Sequence, residues 1–320
     1  MKIWKKSKGF VFLLAIILLS MAVFIAGCGG DTADGQGGKN SGGKKTVTAT
    51  TSFLADMTRE LAGDYVNIEM VIPAGEDPHL YVAQPKDLKK LKDADLVLYH
   101  GLHFEGKMVD VLEKKGTAVS ADFPKNEILQ LDEDGQQVVD PHFWFSIALY
   151  KKASEKAAQA LSELIPEHKQ EISANLAKYL KKLDELDAEI KGKIASIPPE
   201  NRNLVTPHDA FNYFSKSYGM KVVAPQGVST NSEVANADIE KTADFIVEHK
   251  VKAVFAESTT NPERMKKLQE ICKAKGFDVE IVSGEGNELF SDSLAPAGQK
   301  GDTFIDMYRY DVDLIVNHLK

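Results

Sequence analysis

The chain has 320 residues, of which 43% are hydrophobic and 27% charged, and it carries a formal net charge of −8. An acidic balance of this size argues against nucleic acid or an anionic lipid surface as partner and is compatible with cations. Two cysteines rule out a disulfide framework, so the fold must rest on its core.

The N-terminus reads as a secretory leader. Lys2, Lys5, Lys6 and Lys8 precede an apolar run from Phe10 to Ala26 broken only by Ser20. That run is shorter than the roughly 20 residues that span a bilayer comfortably, and its basic flank fits a signal peptide over residues 1–27. Ile25-Ala26-Gly27-Cys28 resembles a bacterial lipobox, which makes Cys28 the candidate for lipidation and places the rest of the chain outside the cytoplasm, tethered to the membrane. Loss of residues 1–27 removes four Lys and no acid, taking the formal charge from −8 to −12. Residues 29–45 contain seven Gly, so residues 28–45 read as a lipidated Cys and flexible tether.

About 275 residues follow, enough for two domains of ordinary size. In the first half Thr46–Thr51, Val66–Ile72, Leu96–Tyr99 and Ala118–Ser120 read as strands, alternating with helices over Leu54–Leu61, Pro85–Lys92 and Gly106–Lys115. A helix around Leu149–Leu164 ends before Pro166. Then Ile172, Leu176, Tyr179, Leu183, Leu186, Ile190, Ile194 and Ile197 recur at spacings of three and four, one face of a helix that Pro198-Pro199 stops. At 1.5 Å per residue such a rod is roughly 39 Å long and could cross the whole molecule.

The second half repeats the alternation, with strands at Leu204–Thr206, Val222–Ala224, Ala253–Ala256 and Val279–Val282 and helices near Ala210–Tyr218, Ile239–His249, Pro262–Lys275 and Thr303–Leu319. Cys272 falls at an apolar position of one of these helices and reads as a buried, inert thiol. The pattern predicts an α/β protein of two lobes, 46–166 and 198–320, each with a parallel sheet, joined by a linking helix over 167–197. A rod of this kind, unlike a hinge of loops, lets the lobes rock only a little.

Asp77-Pro78-His79 is repeated at Asp140-Pro141-His142 and in part at Thr206-Pro207-His208. From 12 Pro and 8 His, chance gives roughly 0.3 Pro-His dipeptides, and three are present. Proline stiffens the loop before each imidazole, which favours a donor that needs little ordering when it binds a metal. Each of the three histidines also lies between predicted elements, where two-lobed α/β proteins place ligands. By contrast His100 and His103 fall near the rim of the first lobe, and His168, His249 and His318 on charged helical surfaces. Three neutral imidazoles leave a dication uncompensated, so a carboxylate is expected as well. Spacing leaves Glu257, after Ala253–Ala256, and Asp292 both open.

Six ordered motifs then carry a resemblance: Asp77-Pro78-His79-Leu80-Tyr81, Tyr99-His100-Gly101-Leu102-His103-Phe104-Glu105, Asp140-Pro141-His142-Phe143-Trp144, His208-Asp209-Ala210-Phe211-Asn212-Tyr213-Phe214, Phe255-Ala256-Glu257-Ser258 and Leu289-Phe290-Ser291-Asp292-Ser293. From about Thr46 to Lys320 the chain resembles the metal-binding receptor lipoproteins of bacterial ABC importers for manganese and zinc. The resemblance implies a metal in the cleft between the lobes, held by His79 and His142 from the first and by His208 and Asp292 from the second, with Glu257 orienting a ligand or bracing the cleft. It implies a monomer that captures a divalent cation at the extracytoplasmic face and delivers it to a permease and its ATPase. Many manganese receptors of the family carry Glu in place of His208, which leans toward zinc. Zinc receptors often insert a long His-rich loop in the first lobe, and Lys125–Val139 contains no His, which places manganese ahead with zinc as the alternative. A secreted metallohydrolase is the rival from another class, but the chain has no His-Glu-x-x-His helix; an adhesin that uses the metal for stability is a third reading.

Overall fold

The computed structural model describes residues 43–133 and 135–320; the leader, Cys28 and the tether up to residue 42 lie outside the described residues. The first lobe opens with β1 (Lys45–Ala49), α1 (Ser52–Ala62), β2 (Val66–Met70), α2 (Pro85–Asp93), β3 (Leu96–Tyr99), α3 (Val109–Lys115) and β4 (Thr117–Ala118). Its four strands are parallel in the order β2-β1-β3-β4, with Val47 facing Ile68 on one side and Leu96 on the other. Local chemistry sets the ends of the helices. The Thr51 hydroxyl accepts the Leu54 N–H at the start of α1, and Gly63 takes φ +52 just past its end, a conformation that costs glycine little. At the start of α2, Pro85 fills the first turn while the Asp87 carboxylate accepts the Gln84 N–H at 2.9 Å.

A short antiparallel hairpin, β5 (Gln130–Glu133) and β6 (Gln136–Val139), follows where no element was expected. Then come α4 (Ile147–Leu164) and the long α5 (Lys169–Ala195), whose 27 residues match the predicted rod and span about 40 Å. The second lobe contains β7 (Asn203–Val205), α6 (Asn212–Tyr218), β8 (Lys221–Val223), α7 (Asn236–His249), β9 (Ala253–Phe255), α8 (Glu263–Ala274), β10 (Glu280–Val282) and α9 (Phe304–Leu319). Here β7 pairs with β8 and β9 with β10, both parallel, and β7 lies beside β9.

The apolar stripe of α5 is buried at Ile172, Tyr179, Leu183, Leu186, Ile190 and Ile194. One end is fixed to the first lobe by Asn175 Nδ2 on the Leu61 carbonyl (3.1 Å) and by Lys182–Glu60 (2.9 Å); the other is fixed to α9 by Lys193–Asp313 (2.6 Å) and Arg309–Glu189 (2.9 Å). The exposed ion pairs contribute little each, and the continuous core contributes most. That core does not stop at the lobe boundary. The Phe145 ring lies 4.4 Å from Phe211, the Tyr308 hydroxyl donates to the Phe145 carbonyl at 2.8 Å, and Phe304 stacks on Tyr150 at 3.7 Å. Residues Lys44–Lys320 are accordingly one compact unit. A second cluster under α7 and α8 includes Val254, Met265, Leu268 and Cys272; the last is fully buried, and burial pushes its thiol pKa up, as befits an inert packing residue.

Candidate metal centre

Each Asp-Pro-His repeat folds back on itself. Asp77 Oδ1 accepts the His79 N–H at 2.9 Å, and Asp140 Oδ1 accepts the His142 N–H at the same distance, so the aspartate, as well as the proline, fixes the imidazole that follows. The third copy works differently: the Thr206 hydroxyl donates to the His208 carbonyl at 3.0 Å. His208 lies just beyond β7, where it makes a parallel bridge with Gln226. Asp292 is delivered from the carboxyl end of β9. Leu289 N–H donates to the Ala256 carbonyl and Ser258 N–H to the Leu289 carbonyl, each at 2.9 Å, and Asp292 follows three residues later. First-lobe Trp144 Nε1 donates to the Ser291 carbonyl at 2.9 Å, and second-lobe Asp311 accepts the Phe290 N–H at 3.0 Å, so the Asp292 loop is held from both sides.

His79, His142, His208 and Asp292 converge, each with one donor atom within 4.8 Å of the others. His142 Nε2 lies 3.4 Å from His79 Nε2 and 3.3 Å from Asp292 Oδ1; Asp292 Oδ2 lies 3.2 Å from His208 Nε2 and 3.8 Å from His79 Nε2. Four donors about 2.1 Å from a central cation are about 3.4 Å apart in a tetrahedron, so the spacing suits a first-row dication. His79 is 4% exposed and the other three 0%. Both Asp292 oxygens and His208 Nε2 are buried with no hydrogen-bond partner among the described residues, an arrangement costly unless a cation fills the space between them.

Carboxylates behind the imidazoles set their orientation. His142 Nδ1–H donates to Asp140 Oδ1 at 2.8 Å, and His208 Nδ1–H donates to Glu257 Oε2, which also accepts the Ser291 hydroxyl at 3.1 Å. Both bonds turn Nε2 toward the cluster. Asp140 is in turn held across the seam, by Asn212 Nδ2 on its Oδ2 (3.1 Å) and the Tyr213 hydroxyl on its carbonyl (3.1 Å).

Burial opposes a proton on each imidazole. At His79 burial wins and the pKa falls to about 3. At His142 the carboxylates of Asp140 and Asp292 outweigh burial and hold it up at about 9; at His208, Glu257 and Asp292 hold it well above the usual value. Asp292 is also opposed by burial, yet His208 and His142 keep it well below the usual carboxylate range.

The structure thus brings together His79, His142, His208 and Asp292, with Glu257 behind His208. Two positions went unrecognised in the sequence: Asp140, although it stands inside the quoted motif, and Trp144, whose indole ties the two lobes. One expectation is corrected. His100 is not at the rim but fully buried, 2.8 Å from the Thr51 hydroxyl and packed among Phe104 (4.8 Å), Trp144 (5.1 Å) and Phe143 (5.5 Å). It extends from the end of β3 into the aromatic cluster rather than toward solvent. His103 and His249 are exposed, while His168 and His318 are half-buried against Tyr65 and Glu280.

Residues 47–318 match the model of the zinc-uptake complex component A periplasmic family. The chain belongs to this family. It is 39% identical over 313 residues to the manganese-binding lipoprotein MntA of Bacillus subtilis, covering 96% of this chain and 99% of that one. It is 38% identical over 279 residues to the zinc-binding protein TroA of Treponema pallidum, covering 86% and 88%. A solved structure described as concerning the metal-binding specificity of TroA superposes with a TM-score of 0.86 at 60% identity, covering 87% of this chain and all of the other. The family confirms the two-lobed α/β architecture with its long helix, and it makes the chain a metal-binding, substrate-binding component of an ABC importer rather than an enzyme, so the hydrolase reading falls away.

Proposed function

We propose that the chain captures a divalent transition metal outside the cytoplasm with His79, His142, His208 and Asp292 as ligands, and hands it to an ABC permease and its ATPase. The reading is carried by the convergence of these four buried side chains on one point with three of their polar atoms unpartnered. Asp140 and Glu257 hold His142 and His208 in the tautomer that presents Nε2. The leader (1–27), lipidated Cys28 with its tether (28–45), the lobes 46–166 and 198–320 and the linking segment 167–197 then form a membrane-anchored monomeric receptor; the B. subtilis relative is likewise named a lipoprotein.

Manganese is the cation favoured. Asp292 turns both oxygens to the imidazoles, Oδ1 toward His142 and Oδ2 toward His208, and neither is engaged by another donor among the described residues. Such a carboxylate can bind through both atoms and raise the coordination number above four, which suits manganese better than zinc. The B. subtilis relative is named for manganese, whereas the T. pallidum relative is named for zinc, the alternative cargo. Because zinc outbinds manganese at most nitrogen-oxygen sites, the test is elemental analysis of protein purified without added metal, followed by competition between the two ions. Manganese retained in the purified protein supports the reading. Protein that arrives loaded with zinc and takes up no manganese counts against it.

A further inference from the structure

A second-lobe loop that supplies no ligand crosses the seam beside the centre. Gln226 bridges to His208, and its side-chain amide donates to the carbonyls of Thr230 (2.8 Å) and Ser232 (2.6 Å), closing Gln226–Ser232 into a compact loop that Arg264 also holds through Gln226. The first lobe grips this loop at two points. The Thr230 hydroxyl donates to Asp77 Oδ2 at 2.6 Å, while Oδ1 of the same carboxylate accepts the His79 N–H. Glu133, at the end of β5, accepts the Val228 N–H at 2.7 Å and presses so closely on Gly227 that a Cβ there would collide with its carboxylate. Two of the four donors are therefore chained to one loop, His208 through Gln226 and His79 through Asp77 and Thr230. His79 is also the one donor residue of the four with any exposure. The continuous core and the fixed ends of α5 oppose a wide parting of the lobes, and the turn before His79 is held to the second lobe both by this loop and by the Gly75 N–H on Ser293 Oγ at 2.7 Å.

We propose that Thr230 is a positioning residue for metal retention: through Asp77 it fastens the Gln226–Ser232 loop to the His79 turn, and loss of this fastening lets the metal leave without separation of the lobes. The inference rests on the ligand assignment above and adds to it the step that governs release. A hydrogen bond to a charged group is worth a rate factor of about tenfold to a hundredfold when it is broken on the way out.

The test uses the full chain loaded with zinc and follows release to an excess of a chromogenic chelator. T230V, which keeps the shape and removes the hydroxyl, is expected to release zinc at least tenfold faster than the wild type, with the circular dichroism of the metal-free protein unchanged. T230S, which restores the donor, is expected to stay within about twofold of the wild type. A T230V protein that releases zinc at the wild-type rate, or a T230S protein as fast as T230V, overturns the proposal. Should T230V fail to fold, T230A decides instead: faster release supports the fastening, and the wild-type rate refutes it. D292A separates the two levels. Loss of binding in D292A with wild-type release in T230V removes only the role of Thr230, whereas unchanged binding in D292A removes the ligand assignment itself.

Discussion

Metal uptake should expel protons well above the pH at which free imidazole titrates. In the metal-free protein His142 is held at about 9 and His208 well above its usual value, whereas His79 is pushed down to about 3 and Asp292 is kept ionised. At pH 7.5 two of the three imidazoles therefore carry protons that a cation must displace, while His79 and Asp292 stand ready. The sign follows directly. A folded-state pKa raised above the unfolded value of about 6.5 stabilises the metal-free fold fully below 6.5, and that stabilisation is lost as pH rises through the folded value. Metal binding competes with the same protons, so apparent affinity falls as pH falls. His142 alone gives a slope of about one logarithmic unit per pH unit below about pH 9, or about 10²-fold between pH 8 and pH 6, and the raised pKa of His208 steepens it further. Unperturbed imidazoles would give a nearly flat profile above pH 7. Calorimetry in buffers of different ionisation enthalpy counts the protons directly: about two should be released per metal at pH 7.5, and about one in E257Q, where His208 loses its carboxylate. Release of no protons between pH 7 and pH 8, with affinity independent of pH, would refute the reasoning.

Asp292→Ala removes the only anionic donor of the cluster and should weaken binding by about 3–5 kcal/mol, a factor of at least about 10², without unfolding the protein, as read by calorimetry and circular dichroism. Asp140→Asn keeps an acceptor for the His142 N–H but removes the charge behind the ring, and should cost about 10- to 100-fold in affinity while stoichiometry stays at one. Metal at a hundred times its dissociation constant should stabilise the fold by about 2.7 kcal/mol, raising the melting temperature by about 5–10 °C, and a chelator should reverse the shift.

The chain's alternation of periods made most of the scaffold legible. Leu96–Tyr99 was read with its observed bounds, and the stripe from Ile172 to Ile194 gave the long helix, because burial on one face leaves a pattern that packing alone dictates. The β5–β6 hairpin was passed over although Asp134-Gly135 is a hairpin dipeptide, since its strands Gln130–Glu133 and Gln136–Val139 are too polar to show an apolar face. Among site residues, the three Pro-His pairs signalled themselves by frequency. The choice between Glu257 and Asp292 could not be made from spacing, because both lie in loops that follow second-lobe strands, Glu257 after β9 and Asp292 after β10. Hydrogen bonding favours Asp292: the Glu257 carboxylate is engaged by His208 Nδ1 and Ser291, whereas the two oxygens of Asp292 face Nε2 of His142 and His208. His100 was misplaced for a related reason, since a histidine at a strand end can turn into the core or out of it, and the aromatic rings that receive it come from distant positions such as Phe143 and Trp144.

Anomalous diffraction from crystals of the manganese-loaded protein, collected at the manganese absorption edge, locates the bound ion itself. A single strong peak is expected about 2.0–2.3 Å from Nε2 of His79, His142 and His208 and from the carboxylate of Asp292, buried between the lobes. A peak on any other set of side chains, or no ordered peak with metal bound in solution, would contradict the ligand assignment.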